Sequence, residues 1–141
     1  MRNRSRERKE SPSLIEKHKL LTLLLDKLIE KSAEGSVILV EGSRDASALR
    51  LLGVKGSICC VKTIRIPLYD FLWKYIDSDV ELIILTDFDR RGSQLLGKIA
   101  SYLEHSGKHP NLSFWMKLNS LLSGDVKDVE GLSSYLKIIR E

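Results

Sequence analysis

The chain has 141 residues and a mass of 16.0 kDa, with 43% apolar content, enough to fill the core of one domain of ordinary size. Lys+Arg 23 against Asp+Glu 19 gives +4 and a pI near 9.1, a mild preference for polyanionic partners that falls short of a histone-like or membrane-coating charge. No apolar run approaches the roughly 18 residues of a membrane span, and the basic start has no apolar stretch directly behind it, so neither a spanning helix nor a secretory signal is expected, and the setting expected is cytoplasmic.

Arg2, Arg4, Arg6, Arg8 and Lys9 stand beside only Glu7 and Glu10 in the first ten positions, so most of the excess charge belongs to a leader and the remaining body is close to neutral. Residues 1–11 lack hydrophobic periodicity and are expected to be a disordered basic arm, with residues 12–141 forming a single domain. A long helix follows: Ser11 or Ser13 can cap it, Ser13-x-x-Glu16 has capping-box form, and apolar residues recur at Leu14, Leu21, Leu24, Leu25 and Leu28 before Gly35. Val37–Val40 is then a short apolar, β-branched run, followed by the polar Glu41-Gly42-Ser43-Arg44-Asp45 and a helix from Ala46 to Leu52.

The alternation repeats. A strand is predicted over Ser57–Lys62, a helix over Pro67–Ile76, a strand over Val80–Thr86, a helix over Ser93–His105, a fourth strand over Leu112–Met116 and a last helix over Leu132–Ile139. Uniformly apolar strands between helices indicate an α/β domain with a mostly parallel, four-stranded sheet and an added N-terminal helix. Cys59 and Cys60 are adjacent in a strand, where alternation sends them to opposite faces; they read as small apolar fillers.

In open parallel sheets, ligands bind beyond the carboxyl ends of the strands, where the direction of connection reverses. The first strand offers Glu41, Gly42 and Asp45 there, and the third offers Asp87, Asp89, Arg90, Arg91 and Gly92. If the two strands are neighbours, Glu41, Asp87 and Asp89 converge. Carboxylates so crowded are costly to ionise without a cation, and a hard divalent metal, Mg²⁺ with Mn²⁺ as a substitute, suits oxygen ligands. No His or Cys lies nearby to favour zinc or copper. Arg44, Arg90 and Arg91 flank the acids and suit phosphate contact, which together suggests phosphodiester chemistry. Asp45 is weighed equally as a helix cap and as a functional acid. Lys127, a phosphate-binding candidate, and Asp128, favoured as a cap for the last helix, can reach the same rim.

Glu41-Gly42 after one apolar strand, with Asp87-x-Asp89 and Gly92 after another about 45 residues later, resembles the Toprim domain of topoisomerases, bacterial-type primases, OLD-family nucleases and the nuclease that matures five-S ribosomal RNA. The likeness covers roughly residues 35–116. It implies a Toprim, Rossmann-like fold, with Glu41 as general acid or base, Asp87 and Asp89 as Mg²⁺ ligands, and Gly42 and Gly92 as glycines that allow tight turning at the site. The chain has no room for a topoisomerase's tyrosine-bearing domain or a primase's zinc and helicase-binding domains, and Tyr69, Tyr75, Tyr102 and Tyr135 are expected on helices as packing or surface residues. The implied function is a metal-dependent nuclease or nucleotidyl-transfer domain acting on RNA or DNA. The alternative is a non-catalytic nucleic-acid or ribonucleoprotein binding module that uses the acidic site and its metal to hold phosphate.

Weaker signals carry less. Gly92–Lys98 imitates a Walker A loop, but Ile99 replaces the required Ser or Thr, and Leu95, Leu96, Ile99 and Leu103 are spaced as the buried face of a helix. Asp87-x-Asp89 also resembles a haloacid dehalogenase nucleophile motif, yet it is not on the first strand and Arg91 stands where Thr or Val is needed. His105 and His109 are separated by Gly107 and read as a turn pair. Trp73 and Trp115 are expected in the core, Trp115 on a strand, and not as base-stacking platforms.

Overall fold

A computed structural model describes residues 13–122 and 124–140, with side chains to residue 136. The predicted arm, residues 1–11, and the alternative cap Ser11 lie outside them. Helix α1, Leu14–Ala33, opens with the expected capping box: the Ser13 hydroxyl accepts from the Glu16 N–H at 3.2 Å, and the Ser13 N–H donates to Glu16 Oε1 at 2.9 Å. Its Leu21, Leu25 and Leu28 are buried. Gly35, at φ +108°, then turns the chain into β1, Val37–Val40.

The order after β1 is α2 (Ser43–Leu52), β2 (Ile58–Cys60), a short 3₁₀ turn (Val61–Thr63), α3 (Leu68–Ile76), β3 (Leu82–Leu85), α4 (Arg90–His105), α5 (Ser113–Leu122) and α6 (Val129–Arg140). This is an α/β fold, a three-stranded parallel sheet of order β2-β1-β3 flanked by helices. β1 and β3 are buried at every position, as unbroken apolar runs indicate for parallel strands covered on both faces by helices. α2 packs on α6, α1 on α5 and α6, and α3 on α4.

Two expectations are corrected here. Residues predicted as a fourth strand form the start of α5, so the sheet has three strands among the described residues. Phe114, Trp115, Leu118 and Leu122 are buried at helical spacing, a periodicity invisible in a five-residue apolar window. The Asn111 side chain starts the helix by accepting from the Ser113 N–H at 2.9 Å. The sheet edge keeps a one-residue trace of the missing strand: Asn111 bridges β3, accepting from Ile84 at 3.1 Å and donating to Leu82 at 2.8 Å. The second correction concerns tryptophan. Trp115 is buried as expected, on a helix instead of a strand, whereas Trp73 on α3 is exposed.

The register Val37↔Leu82 through Val40↔Leu85 brings the carboxyl ends of β1 and β3 side by side. The chain leaving β1 crosses to β2 and the chain leaving β3 crosses to Asn111 on the opposite flank, so connections diverge at this seam. That is where a doubly wound sheet opens a crevice. At the other end Glu81 ties elements together, accepting from Ser36 at 2.7 Å and Asn111 at 2.9 Å and pairing with Lys31 at 3.3 Å. No helix among the described residues is long and apolar enough to cross a membrane.

Candidate functional site at the β1–β3 seam

Glu41 directly follows β1, and its Oε2 accepts from the Asp87 backbone N–H at 2.8 Å, joining the two strand ends. Asp87 is therefore held where the seam opens. Its carboxylate lies with those of Asp45 and Asp128, one oxygen from each within 4.8 Å of the others. Asp89, expected as a ligand beside Asp87, is not in this group; it caps α4, with Oδ1 accepting from the Gly92 N–H at 2.8 Å. Glu41 is likewise outside the group of three and acts on the Asp87 backbone.

Asp45 and Asp128 both serve helix ends, and each also places an oxygen in this group. Asp45 sits in the first turn of α2, where Oδ2 accepts from the Gly42 N–H at 3.2 Å and Oδ1 from the Glu130 N–H of α6 at 3.0 Å. It is 7% exposed, and each of its oxygens accepts one backbone N–H at a helix end and keeps a further lone pair. Asp128 caps α6 through the Gly131 N–H at 2.7 Å. The Phe88 N–H donates to the Lys127 carbonyl, fastening the segment before α6 to the loop after β3. Three helix N-termini, those of α2, α4 and α6, thus meet at one rim with their partial positive ends around the acids. Arg44, Arg90, Arg91 and Lys127 are exposed on these same N-terminal segments, and none forms an ion pair among the described residues.

Burial pushes the Asp87 carboxyl up to about 7 from an ordinary 3.8, reinforced by repulsion from Glu41, Asp45, Asp128 and Asp89. Without a cation the folded state therefore keeps this proton at pH values where the unfolded chain has released it. The sign follows: the folded state binds more protons, so stability falls as pH rises from about 4 to about 7. In EDTA, Asp87→Asn should melt like the native protein at about pH 3.5, below both titrations, and higher than it at pH 8. After allowance for solvent screening the gain is about 1 kcal/mol, or about 3 °C in Tm. Equal melting curves at both pH values would show that Asp87 is not strained by its neighbours.

Trp115 supports the site from below. Its Nε1–H donates to the Thr86 carbonyl at 2.9 Å and the Asp87 carbonyl at 3.2 Å, and its ring lies 5.9 Å from that of Phe88. Trp115→Phe keeps the packing but strands two carbonyls; urea unfolding should report a loss of about 1–3 kcal/mol. Gly92 closes the turn from above, its carbonyl accepting from the buried Thr86 hydroxyl at 2.7 Å. The supporting role of Trp115 carried no signal in the sequence, because its two acceptors are backbone atoms almost 30 residues away.

The donor set fits a hard divalent cation: carboxylate oxygens only, with the Asp87 carboxyl pushed up among its neighbours, and exposed cationic side chains around the rim. Cys59 and Cys60 are free thiols; Cys60 contacts the Gly42 carbonyl at 3.6 Å, and burial pushes its thiol up, away from the reactive thiolate.

Comparison with known proteins gives relatives of similar length. A UPF0292 protein of Methanosarcina barkeri is 37% identical over 117 residues, covering 83% of this chain and 80% of its own. The UPF0292 protein of Pyrococcus horikoshii is 38% identical over 125 residues, with 88% and 90% covered. That of Thermococcus gammatolerans is 39% identical over 126 residues, again with 88% and 90% covered. Among solved structures, a protein from Aquifex aeolicus has the same fold, with a TM-score of 0.63 at 24% identity, covering 78% of this chain and 95% of that one. No protein-family model matches the chain.

Proposed function

The chain belongs to the UPF0292 family, and from the geometry of its β1–β3 seam we propose that it is a Toprim-type, Mg²⁺-dependent nuclease or nucleotidyl-transfer domain acting on phosphodiesters of RNA or DNA in the cytoplasm. The observation that carries this reading is the meeting of Asp45, Asp87 and Asp128 within 4.8 Å at a rim that also presents Arg44, Arg90, Arg91 and Lys127. An acidic centre inside a basic rim suits a ligand that is itself polyanionic and brings its charge to a bound cation.

Asp87, common to the Toprim motif and to the observed group, is the principal ligand of the proposal, with Asp45 and Asp128 completing the donor set; Mn²⁺ is expected to substitute. The cation, when bound, supplies Lewis-acid stabilisation of charge developing on the phosphoryl oxygens. The arginines and Lys127 orient the phosphate by charge-assisted hydrogen bonds. Glu41, fixed by the Asp87 N–H through one oxygen, accepts the proton of an attacking water or hydroxyl through its carboxylate. The helix ends of α2, α4 and α6 hold these groups rigidly, so little reorganisation is left for the reaction.

The deciding experiment incubates the purified protein with a mixed panel of RNA and DNA, single- and double-stranded, in Mg²⁺, Mn²⁺ or EDTA. Cleavage in Mg²⁺ that disappears in EDTA and in Asp87→Asn is expected. Binding without cleavage under any divalent ion would replace the nuclease by a phosphate-holding module. Unchanged metal affinity in Asp87→Asn, read by calorimetry, would overturn the site itself.

A further inference from the structure

We propose that the outer face of α3 is a platform on which the bases of single-stranded nucleic acid stack, leading substrate along the surface to the β1–β3 seam; this rests on the reading above that the substrate is a nucleic acid. Tyr69 and Trp73, one turn apart on α3, are 45% and 66% exposed, and Ile66 in the segment just before the helix is 53% exposed. A large aromatic ring so open to water costs hydration free energy unless something covers it, and an indole with its π-face free is suited to a planar partner.

Chemistry of the surroundings identifies that partner. Lys62 and Arg65 precede the helix, Lys98 lies on α4 in the same open groove as Tyr69 and Tyr102, and all three cations are exposed and outside any ion pair among the described residues. Asp70 and Lys74 on α3 and Asp77 at its C-terminal end are also exposed, so the face is mixed in charge, with Lys62 and Arg65 on the approach to the helix and Lys98 on the α4 side. Tyr69 stacks on Tyr102 at 4.5 Å with ring planes 15° apart, which braces one ring of the platform against α4. Lysine and arginine interleaved with aromatic faces match a chain of alternating phosphates and bases, because every base has a π-face and every linkage a negative charge. An amphipathic protein helix would use the apolar surface and leave these cations unmatched.

Continuity with the proposed active centre is built into the backbone. The Lys62 N–H donates to the Glu41 carbonyl at 3.0 Å, so the segment carrying Lys62 and Arg65 starts at the residue assigned to proton transfer and runs directly into α3. A single strand lying on Trp73 and Tyr69 has cationic side chains to follow toward the seam.

The test uses the full chain in EDTA, so that metal plays no part. A short oligothymidylate should quench the tryptophan emission, because Trp73 is open and Trp115 is enclosed and doubly hydrogen-bonded. An abasic oligomer of equal length should not. By anisotropy of a labelled oligothymidylate, Trp73→Ala and Tyr69→Ala should each weaken binding about tenfold, and Trp73→Phe should stay within about threefold of the native protein. Equal affinity for the abasic and base-bearing oligomers, or native affinity in Trp73→Ala, would overturn the platform. Failure of the two readings is separable: Trp73-dependent binding with no cleavage in Mg²⁺ removes the nuclease and leaves the platform, and cleavage whose KM is unmoved by Trp73→Ala removes the platform and leaves the nuclease.

Discussion

Glu41→Gln should lower cleavage by about two to four orders of magnitude while leaving fold and metal affinity in place. The amide oxygen of glutamine can still accept from the Asp87 N–H, so the bond at 2.8 Å that joins β1 to β3 survives. The carboxylates of Asp45, Asp87 and Asp128 are untouched, and they alone form the proposed donor set. What is lost is an oxygen able to take a proton. Glu41→Ala provides the contrast, since it removes both functions; the orphaned Asp87 N–H adds a stability cost of about 1–2 kcal/mol. Calorimetry with Mg²⁺, thermal melting and a single-turnover cleavage assay on the two variants separate these effects. A Gln variant that cleaves at the native rate would reduce Glu41 to a structural brace.

Gly92→Ala should be the most damaging conservative change in the protein, at about 3 kcal/mol and a fall in Tm of about 10 °C. A Cβ at this position would overlap the Asp87 carbonyl oxygen and stand 2.8 Å from the Asp87 Cα. Both are backbone atoms, so no side-chain rotation relieves the clash. Neither end of Gly92 can retreat, because its N–H is held by Asp89 and its carbonyl by the Thr86 hydroxyl. Either α4 or the β3 end must move, and movement of Asp87 separates it from Asp45 and Asp128. Gly97→Ala is the control: it lies on the same helix with open space around its Cα, and should be neutral or slightly stabilising. Equal melting temperatures for the two variants would show that the Asp87–Gly92 contact is not tight.

The alternation of apolar runs and amphipathic segments was sufficient to read the strand-helix order through α4, because β1 and β3 are buried on both faces and α4 follows a single apolar stripe. Reading failed at 112–116, where five residues admit both periods and Asn111 decides between them through a side-chain cap. At the site, Glu41 and Asp87 were legible from their place directly after paired strands. Asp89, expected to turn its carboxylate to the side of Asp87, instead accepts from the Gly92 N–H at the start of α4, a capping bond that the two-residue spacing does not announce. The joining of Asp45 with Asp128 depends on α2 packing against α6, a contact between segments more than 80 residues apart with no local pattern to announce it.

The members of this carboxylate group come from three widely separated stretches, and the last is fixed only when Asp128 caps α6 and the Glu130 N–H reaches back to Asp45. A nascent chain leaving the ribosome therefore completes its sheet, which ends at Leu85, well before it completes its acidic pocket. On the proposed reading, capacity for a divalent ion is therefore a late product of synthesis. Stalled or C-terminally clipped chains keep Asp45 and Asp87 without their third member, and bare negative charge of that kind repels a phosphate backbone.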